Sequence, residues 1–280
     1  MLHAITCGGL YSLFSAVVFP AVVLTADKTP RDGALPIIEN LGGAAMRGFV
    51  FDLDNTLFDR YGTIRTLMLN ESERIIPYIN VSYDIERAIE HVIHTEPLYI
   101  LGGWEGVYEA LCREHFFKAE NTPKYEKVAD FVRECFKKYA VPFPFTIRLL
   151  EDLRTAGYKL GIITNGDDKF QRRKIEMLGF GELFDEILTS GEFAEHMCGD
   201  ERNYDYWKPN PRIFDEMARR LNIPADELYY VGDNPLNDVR ACRAAGYVPV
   251  WIKSLSPWPY SLEEMPEHSF DSIDGLRALI

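Results

Sequence analysis

Five short apolar runs punctuate the chain: "GFVFDL" at 48–53, "KLGIITN" at 159–165, "DEILTS" at 185–190, "YYVGD" at 229–233 and "VPVWI" at 248–252. Each is short enough, and apolar enough, to be a strand buried on both faces. Between the last four, apolar positions recur at helical spacing. Ile147, Leu150 and Leu153 mark one segment, and Phe170, Ile175 and Leu178 a second. Ile213, Met217 and Leu221 mark a third, and Val239, Cys242 and Ala245 a fourth. Gly157, Gly179 and Gly246 follow three of these segments, where a left-handed residue ends a helix at least cost. Strand alternating with helix predicts an α/β fold: a Rossmann-like, doubly wound parallel sheet covered on both faces.

The first and second runs are separated by about ninety residues without a strand pattern, too long for a plain crossover. This stretch has helical periods of its own. Ile64, Leu67, Met68, Glu71 and Ile75 fit one helix, with Glu71 a polar exception. Ile85, Ile89, Val92 and Ile93 fit a second, Trp104, Val107, Tyr108 and Leu111 a third, and Val128, Val132, Cys135 and Phe136 a fourth. The predicted layout is a core formed by residues 46–58 and 143–280, with an all-helical domain, 59–142, inserted after the first strand. The chain re-enters the core through "VPFPF" at 141–145, stiffened by two prolines.

Residues 1–45 do not fit this layout. Ala4 to Ala26 carry no charge and are long enough to span a bilayer. The flanks make a poor signal peptide, because no Lys or Arg precedes the run and the cleavage pattern is weak. Residues 27–45 are rich in Gly, Pro and Ala. "MRGFVFDLDNTLFD" from Met46 is a natural beginning for a domain whose first strand starts at once. The reading favoured here is a natural start at Met46 and a cytoplasmic protein, with a membrane anchor as the alternative if residues 4–26 are expressed.

Composition narrows the partners. The 280 residues carry a formal net charge of -13, which argues against nucleic acid, since polyanion binding needs a basic stripe. A small anionic substrate stays open, because one lysine and a metal can reverse the field inside a cleft. Cys7, Cys112, Cys135, Cys198 and Cys242 are odd in number and scattered, which reads as reduced thiols and not a disulfide framework or zinc site. His91 and His94 are spaced for one helix face but have no further ligand nearby in sequence, so a surface role is expected.

The chemistry gathers at the ends of the strands. In an open parallel sheet, ligands bind beyond the carboxyl ends. Run one ends at Asp52, with Asp54 just beyond; run two at Thr164 and Asn165, before Gly166; run four at Asp233, with Asp238 a turn later. Lys208, in "WKPNP", follows run three. Two aspartates one residue apart at the end of a buried strand repel each other unless a cation offsets them. Asp52, Asp54 and Asp233 are hard oxygen ligands of the kind Mg²⁺ takes alongside water and phosphate. Lys208 supplies a point charge. The Thr164 hydroxyl and the amides of Asn165 and Gly166, near a helix start, suit an anion. Carboxylate nucleophile, metal, lysine and amide cradle are the parts of phosphoryl transfer through an aspartyl-phosphate.

With these residues in order, the chain resembles the haloacid dehalogenase superfamily, in the subgroup with a helical cap inserted after the first motif. The motifs are Asp52-Leu53-Asp54-Asn55-Thr56, Thr164-Asn165, Lys208, and Gly232-Asp233 with Asp238. The resemblance runs from Met46 to Ile280. It implies that Asp52 is the nucleophile and that Asp54 protonates the leaving oxygen and then activates water. It implies that Asp52, the Asp54 carbonyl and Asp233 hold Mg²⁺, with Asp238 a further ligand or a partner of the ligands. Thr164, Asn165, Gly166 and Lys208 would bind the phosphate. An acid at Asp54 favours phosphate esters over halides, and "DNTLFD" is closer to phosphatases and nucleotidases than to mutases. The expected reaction is Mg²⁺-dependent hydrolysis of a small phosphorylated metabolite, of the nucleotide or sugar phosphate class. A phosphosugar mutase on the same core and a non-catalytic binding protein are the rival readings.

Three weaker features remain. Trp104 reads equally as substrate-facing or as an anchor of the helical insertion. Arg60, at the hinge after the first motif, reads as solvated, with contact to a second anionic group as the alternative. The stretch 194–207 reads as a long loop, either a flap or a surface insertion, with Cys198 an inert thiol.

Overall fold

The structure is a computed structural model that describes residues 46–99, 103–254, 257–259, 261–262 and 265–280. The apolar run 4–26, the stretch 27–45 and Cys7 lie outside the described residues. Six parallel strands form one sheet: β1 (Gly48–Phe51), β2 (Lys159–Thr164), β3 (Glu186–Thr189), β4 (Leu228–Gly232), β5 (Val248–Ile252) and β6 (His268–Phe270). Their spatial order is β3-β2-β1-β4-β5-β6. The order reverses between β1 and β4, so the crevice for a ligand opens between the ends of two adjacent strands. The register sets Phe51 against Val231 and Ile162, which brings Asp52, Thr164 and Asp233 to one rim.

The five strands expected from apolar runs are present, and β6 is an addition. Its three residues are half-buried at the sheet edge, too short and too mixed to make a run. Alternation along β1 divides the core. Phe49 and Phe51 face α6 (Thr146–Thr155) and α7 (Asp168–Leu178), through Leu149, Leu150, Leu153, Ile175 and Leu178. Val50 faces the other layer, with Ile213, Phe214 and Met217 of α9 (Arg212–Leu221). Complete burial of these side chains on both faces is the main source of stability.

The helix α8 (Ser190–Cys198) occupies part of the stretch read as a loop. Only Phe193 gives it a large buried side chain, so its periodicity is weak. Its start was legible in another way. Thr189 accepts from Glu192 N–H at 3.1 Å, and Thr-Ser-Gly-Glu has capping-box spacing. The fourth segment also departs from a plain helix: 235–240 is wound as a π-helix and passes into α10 (Ala241–Ala244).

Between β1 and α6 the described residues form five α-helices and no strand: α1 (Arg60–Asn70), α2 (Ser72–Ile75), α3 (Ile85–Tyr99), α4 (Gly103–Arg113) and α5 (Tyr125–Tyr139). The first predicted helix is broken in two at Glu71. That side chain is drawn inward to Lys138 Nζ at 2.8 Å and the Tyr139 hydroxyl at 2.7 Å, both at the end of α5. Among the described residues no helix is long and apolar enough to cross a membrane. The four cysteines of the described residues are free. His91 is stacked on Phe116 and paired with Glu114, which accounts for it without a metal.

Candidate active site

β1 delivers Asp52 to the rim and β4 delivers Asp233 beside it. One ligand oxygen from each of Asp52, Asp233 and Asp238 lies within 4.8 Å of the others, and all three residues are buried. The close approach of Asp238 depends on Gly232, where a Cβ would meet the Asp238 Cβ at 2.5 Å. Burial raises Asp52 to about 7, against the pull of Lys208. Burial, then Asp238 and Asp52, raise Asp233 well above the carboxylate range.

Lys208 is the fixed cation of this cluster. Its Nζ donates to Asp52 Oδ1 at 2.6 Å, to Asp238 Oδ1 at 2.8 Å and to the Tyr230 hydroxyl at 3.0 Å. Burial alone would lower its pKa, but the two carboxylates outweigh that and raise it. Asn165 clamps the Lys208 backbone, accepting from its N–H at 2.9 Å and donating to its carbonyl at 3.0 Å. Asp238 Oδ2 also accepts from Asn234 N–H at 2.9 Å. Asp238 thus braces Lys208 and the turn after β4. Ser254 donates to Asp233 Oδ2 at 2.7 Å, and Trp251 holds the Asp233 carbonyl at 2.9 Å.

Asp54 has a separate set of partners, of which the sequence pointed only to Arg60. Lys174 Nζ lies 2.8 and 3.0 Å from its two oxygens, and Gln171 Nε2 donates to Oδ2 at 3.1 Å. Arg60 Nε is 3.8 Å from Oδ1. Burial would raise Asp54, but Lys174 and Arg60 prevail and hold it at about 2. The cations that oppose protonation of Asp54 are therefore Lys174 and Arg60. Arg60 is not solvated at the hinge. It pairs with the buried Glu96 of α3, and its guanidinium lies 5.8 Å from the Trp104 ring centroid.

All of Asp52, Asp54, Thr164, Asn165, Gly166, Lys208, Asp233 and Asp238 line one cavity of about 490 Å³, which Trp104 of α4 and Tyr125 of α5 also line. Trp104 combines both readings, since it lines the cavity and also packs edge-on against Phe136. Two members of the expected anion cradle are engaged within the protein. Thr164 Oγ1 accepts from Gln171 at 2.6 Å, and Gly166 N–H donates to Ser190 Oγ at 2.9 Å.

A family model for haloacid dehalogenase-like hydrolases matches residues 46–246. The chain belongs to that family. Among relatives of this hydrolase is a glyceraldehyde 3-phosphate phosphatase of Methanopyrus kandleri, 35% identical over 238 residues, covering 81% of this chain and 93% of the relative. A phosphoserine phosphatase of Thermus thermophilus is 32% identical, covering 63% of this chain and 65% of its own. An N-acylneuraminate-9-phosphatase of Mus musculus is 26% identical, covering 86% and 96%. A solved dehalogenase with an intermediate complex has the same fold, with a TM-score of 0.64 at 20% identity, covering 84% of this chain and 97% of its own.

The donor set fits the divalent cation that the family implies. Three carboxylates crowd one lysine, and burial first, then repulsion from the neighbouring carboxylates, pushes Asp52 and Asp233 upward. Among the described residues no hydrogen bond claims Asp52 Oδ2 or Asp233 Oδ1, whereas both oxygens of Asp238 are in use. Asp52 and Asp233 thus each keep an oxygen that could hold a cation.

Proposed function

We propose that this hydrolase is a Mg²⁺-dependent phosphatase that cleaves a small phosphomonoester through a phospho-aspartate on Asp52, with residues 59–142 serving as a cap. The observation that carries this reading is the buried Asp52 carboxylate at the tip of β1, held 2.6 Å from Lys208 and grouped with Asp233. Bound Mg²⁺ would neutralise the crowded carboxylates and act as a Lewis acid at the phosphoryl oxygens, held by Asp52, Asp233 and the Asp54 carbonyl.

Asp52 attacks phosphorus, the ester P–O bond breaks, and the leaving oxygen takes a proton from Asp54. Asp54, now ionised, takes a proton from the water that attacks the phospho-aspartate, and Asp52 is regenerated as phosphate departs. Lys208 holds Asp52 throughout, and Thr164 and Asn165 face the phosphoryl oxygens. A phosphate dianion arriving beside Asp54 shares Lys174 and Arg60 with it and brings a like charge, and both effects raise the Asp54 pKa from its low value. The relatives named for glyceraldehyde 3-phosphate, phosphoserine and N-acylneuraminate 9-phosphate share a phosphate on a small carbon skeleton. A sugar or sugar-acid phosphate of that size is the favoured substrate, ahead of a nucleotide.

The test is phosphate release from a panel of small phosphomonoesters by the full chain, with Mg²⁺ and with EDTA, beside Asp52→Asn. Metal-dependent release that disappears in the variant is expected. Release that survives Asp52→Asn would remove the phospho-aspartate.

A further inference from the structure

Proton transfer in this reading depends on Asp54, and the group that grips Asp54 comes from the core helix α7. Lys174 Nζ spans both carboxylate oxygens, at 2.8 and 3.0 Å. It is 6% exposed and lies 5.3 Å from the ring centroids of Phe58 and Phe170. A buried ammonium is unfavourable unless it is paired, so its placement against a carboxylate at the catalytic rim needs a reason. Gln171, one turn earlier on α7, is 2% exposed and ties Asp54 Oδ2 to Thr164 Oγ1 and the Asn165 carbonyl. One helix face thus spans the acid and the residues facing the phosphate.

We propose that Lys174 is a positioning residue that fixes the plane of the Asp54 carboxylate for proton transfer to and from the reacting oxygens. This rests on the phosphatase reading above. An aspartate side chain turns about two torsions, and a donor bridging both oxygens removes that freedom. Oδ2 accepts from both Lys174 and Gln171, whereas Oδ1 accepts from Lys174 and keeps a second lone pair for the cavity. Misplacing a reacting group by about 1 Å costs on the order of 10²-fold in rate, which sets the scale of the effect.

The test uses the leaving group. An alkoxide needs a proton as it departs; p-nitrophenolate does not. The Mg²⁺-loaded full chain is assayed on glycerol 3-phosphate and on p-nitrophenyl phosphate, as wild type, Lys174→Met, Asp54→Asn and the double variant. Lys174→Met is expected to lower kcat/KM on glycerol 3-phosphate by about 10²-fold and on p-nitrophenyl phosphate by less than about tenfold, because kcat/KM reports departure of the leaving group and not the shared hydrolysis of the phospho-aspartate. In the Asp54→Asn background it should add no further loss, because it acts through Asp54. Lys174→Arg should recover part of the rate. Equal losses on both esters, or losses that multiply in the double variant, would overturn the proposal and leave Lys174 a structural residue. If Lys174→Met does not fold, the same comparison on Lys174→Gln decides, since Gln keeps one hydrogen bond to Asp54. Absence of Mg²⁺-dependent hydrolysis of both esters by the wild-type chain would remove the phosphatase reading itself, and this proposal with it.

Discussion

Two aspartates separated by one residue carry opposite electrostatic fates. Asp52 shares Lys208 with Asp238 and is raised by burial to about 7, while Asp54 has Lys174 together with Arg60, which it shares with Glu96, and is held at about 2. One site therefore offers a carboxylate short of positive charge, suited to a metal, and another rich in it, suited to receive a proton only when an anion arrives. Asp54→Asn is expected to leave KM nearly unchanged and to lower kcat on an alkyl phosphate by about 10²–10⁴-fold. Steady-state kinetics on glycerol 3-phosphate checks it, and near-normal turnover would take Asp54 out of the mechanism. Gly232 controls the other aspartate pair. Gly232→Ala forces a Cβ against Asp238 at 2.5 Å, so it should destabilise the protein by about 1–3 kcal/mol. It should also reduce activity, because Asp238 braces Lys208. Denaturant unfolding beside kcat measures both, and an unchanged midpoint would mean that the turn after β4 yields freely.

At the scale of elements, the polar residues that matter sit on apolar stripes. Ile64, Leu67, Met68 and Glu71 follow the spacing i, i+3, i+4, i+7, and so do Ile89, Val92, Ile93 and Glu96. Gln171, Lys174, Ile175 and Leu178 repeat it, and all four are buried. A charged residue at such a position faces inward and needs a partner, and each has one: Glu71 at Lys138, Glu96 at Arg60, Lys174 at Asp54. This signal was readable in the sequence. Apolar spacing alone passes over it, treating Glu71 as an exception and counting Phe170 instead of Gln171. The strand-end residues were legible because a buried strand that stops on a carboxylate has few structural reasons to do so. β6 and the body of α8 were not, because one has three half-buried residues and the other a single large apolar contact beyond its capped start. Glu71 gives this scale its test. Its hydrogen bonds to Lys138, Tyr139 and Arg74 lower its pKa to about 2, below the ordinary value near 4.5. A depressed carboxylate stabilises the fold above its unfolded pKa and loses that contribution as pH falls through the folded one. Glu71→Gln should therefore lower Tm at pH 7, and the gap from wild type should close between about pH 4 and pH 2. A gap that stays constant across that window would assign the effect to packing.

The whole molecule is acidic, with a net charge of -13, yet its proposed substrate is an anion. Nothing in the bulk charge draws a phosphate inward, and the rim itself holds Asp52, Asp233 and Asp238 around one lysine. Entry of a dianion against three buried carboxylates is unfavourable until a divalent cation balances them. The same imbalance opposes folding, since like charges are held together by the rest of the structure. A cation that binds only the folded chain stabilises it by RT ln(1 + [L]/Kd), about 2.7 kcal/mol at a hundredfold excess over Kd. For a chain of this size that corresponds to roughly 5–10 °C in Tm. Adding Mg²⁺ after EDTA treatment should thus raise Tm, with the rise growing linearly in log[Mg²⁺] above Kd. Asp233→Asn removes one of the crowded charges, so its metal-free Tm should equal or exceed that of wild type, while its response to Mg²⁺ should largely vanish. Calorimetry of the two proteins across a Mg²⁺ series reads both effects. An equal Mg²⁺ shift in Asp233→Asn would place the cation elsewhere, and a metal-free variant less stable than wild type would mean that Asp233 supports the turn after β4 more than it strains it.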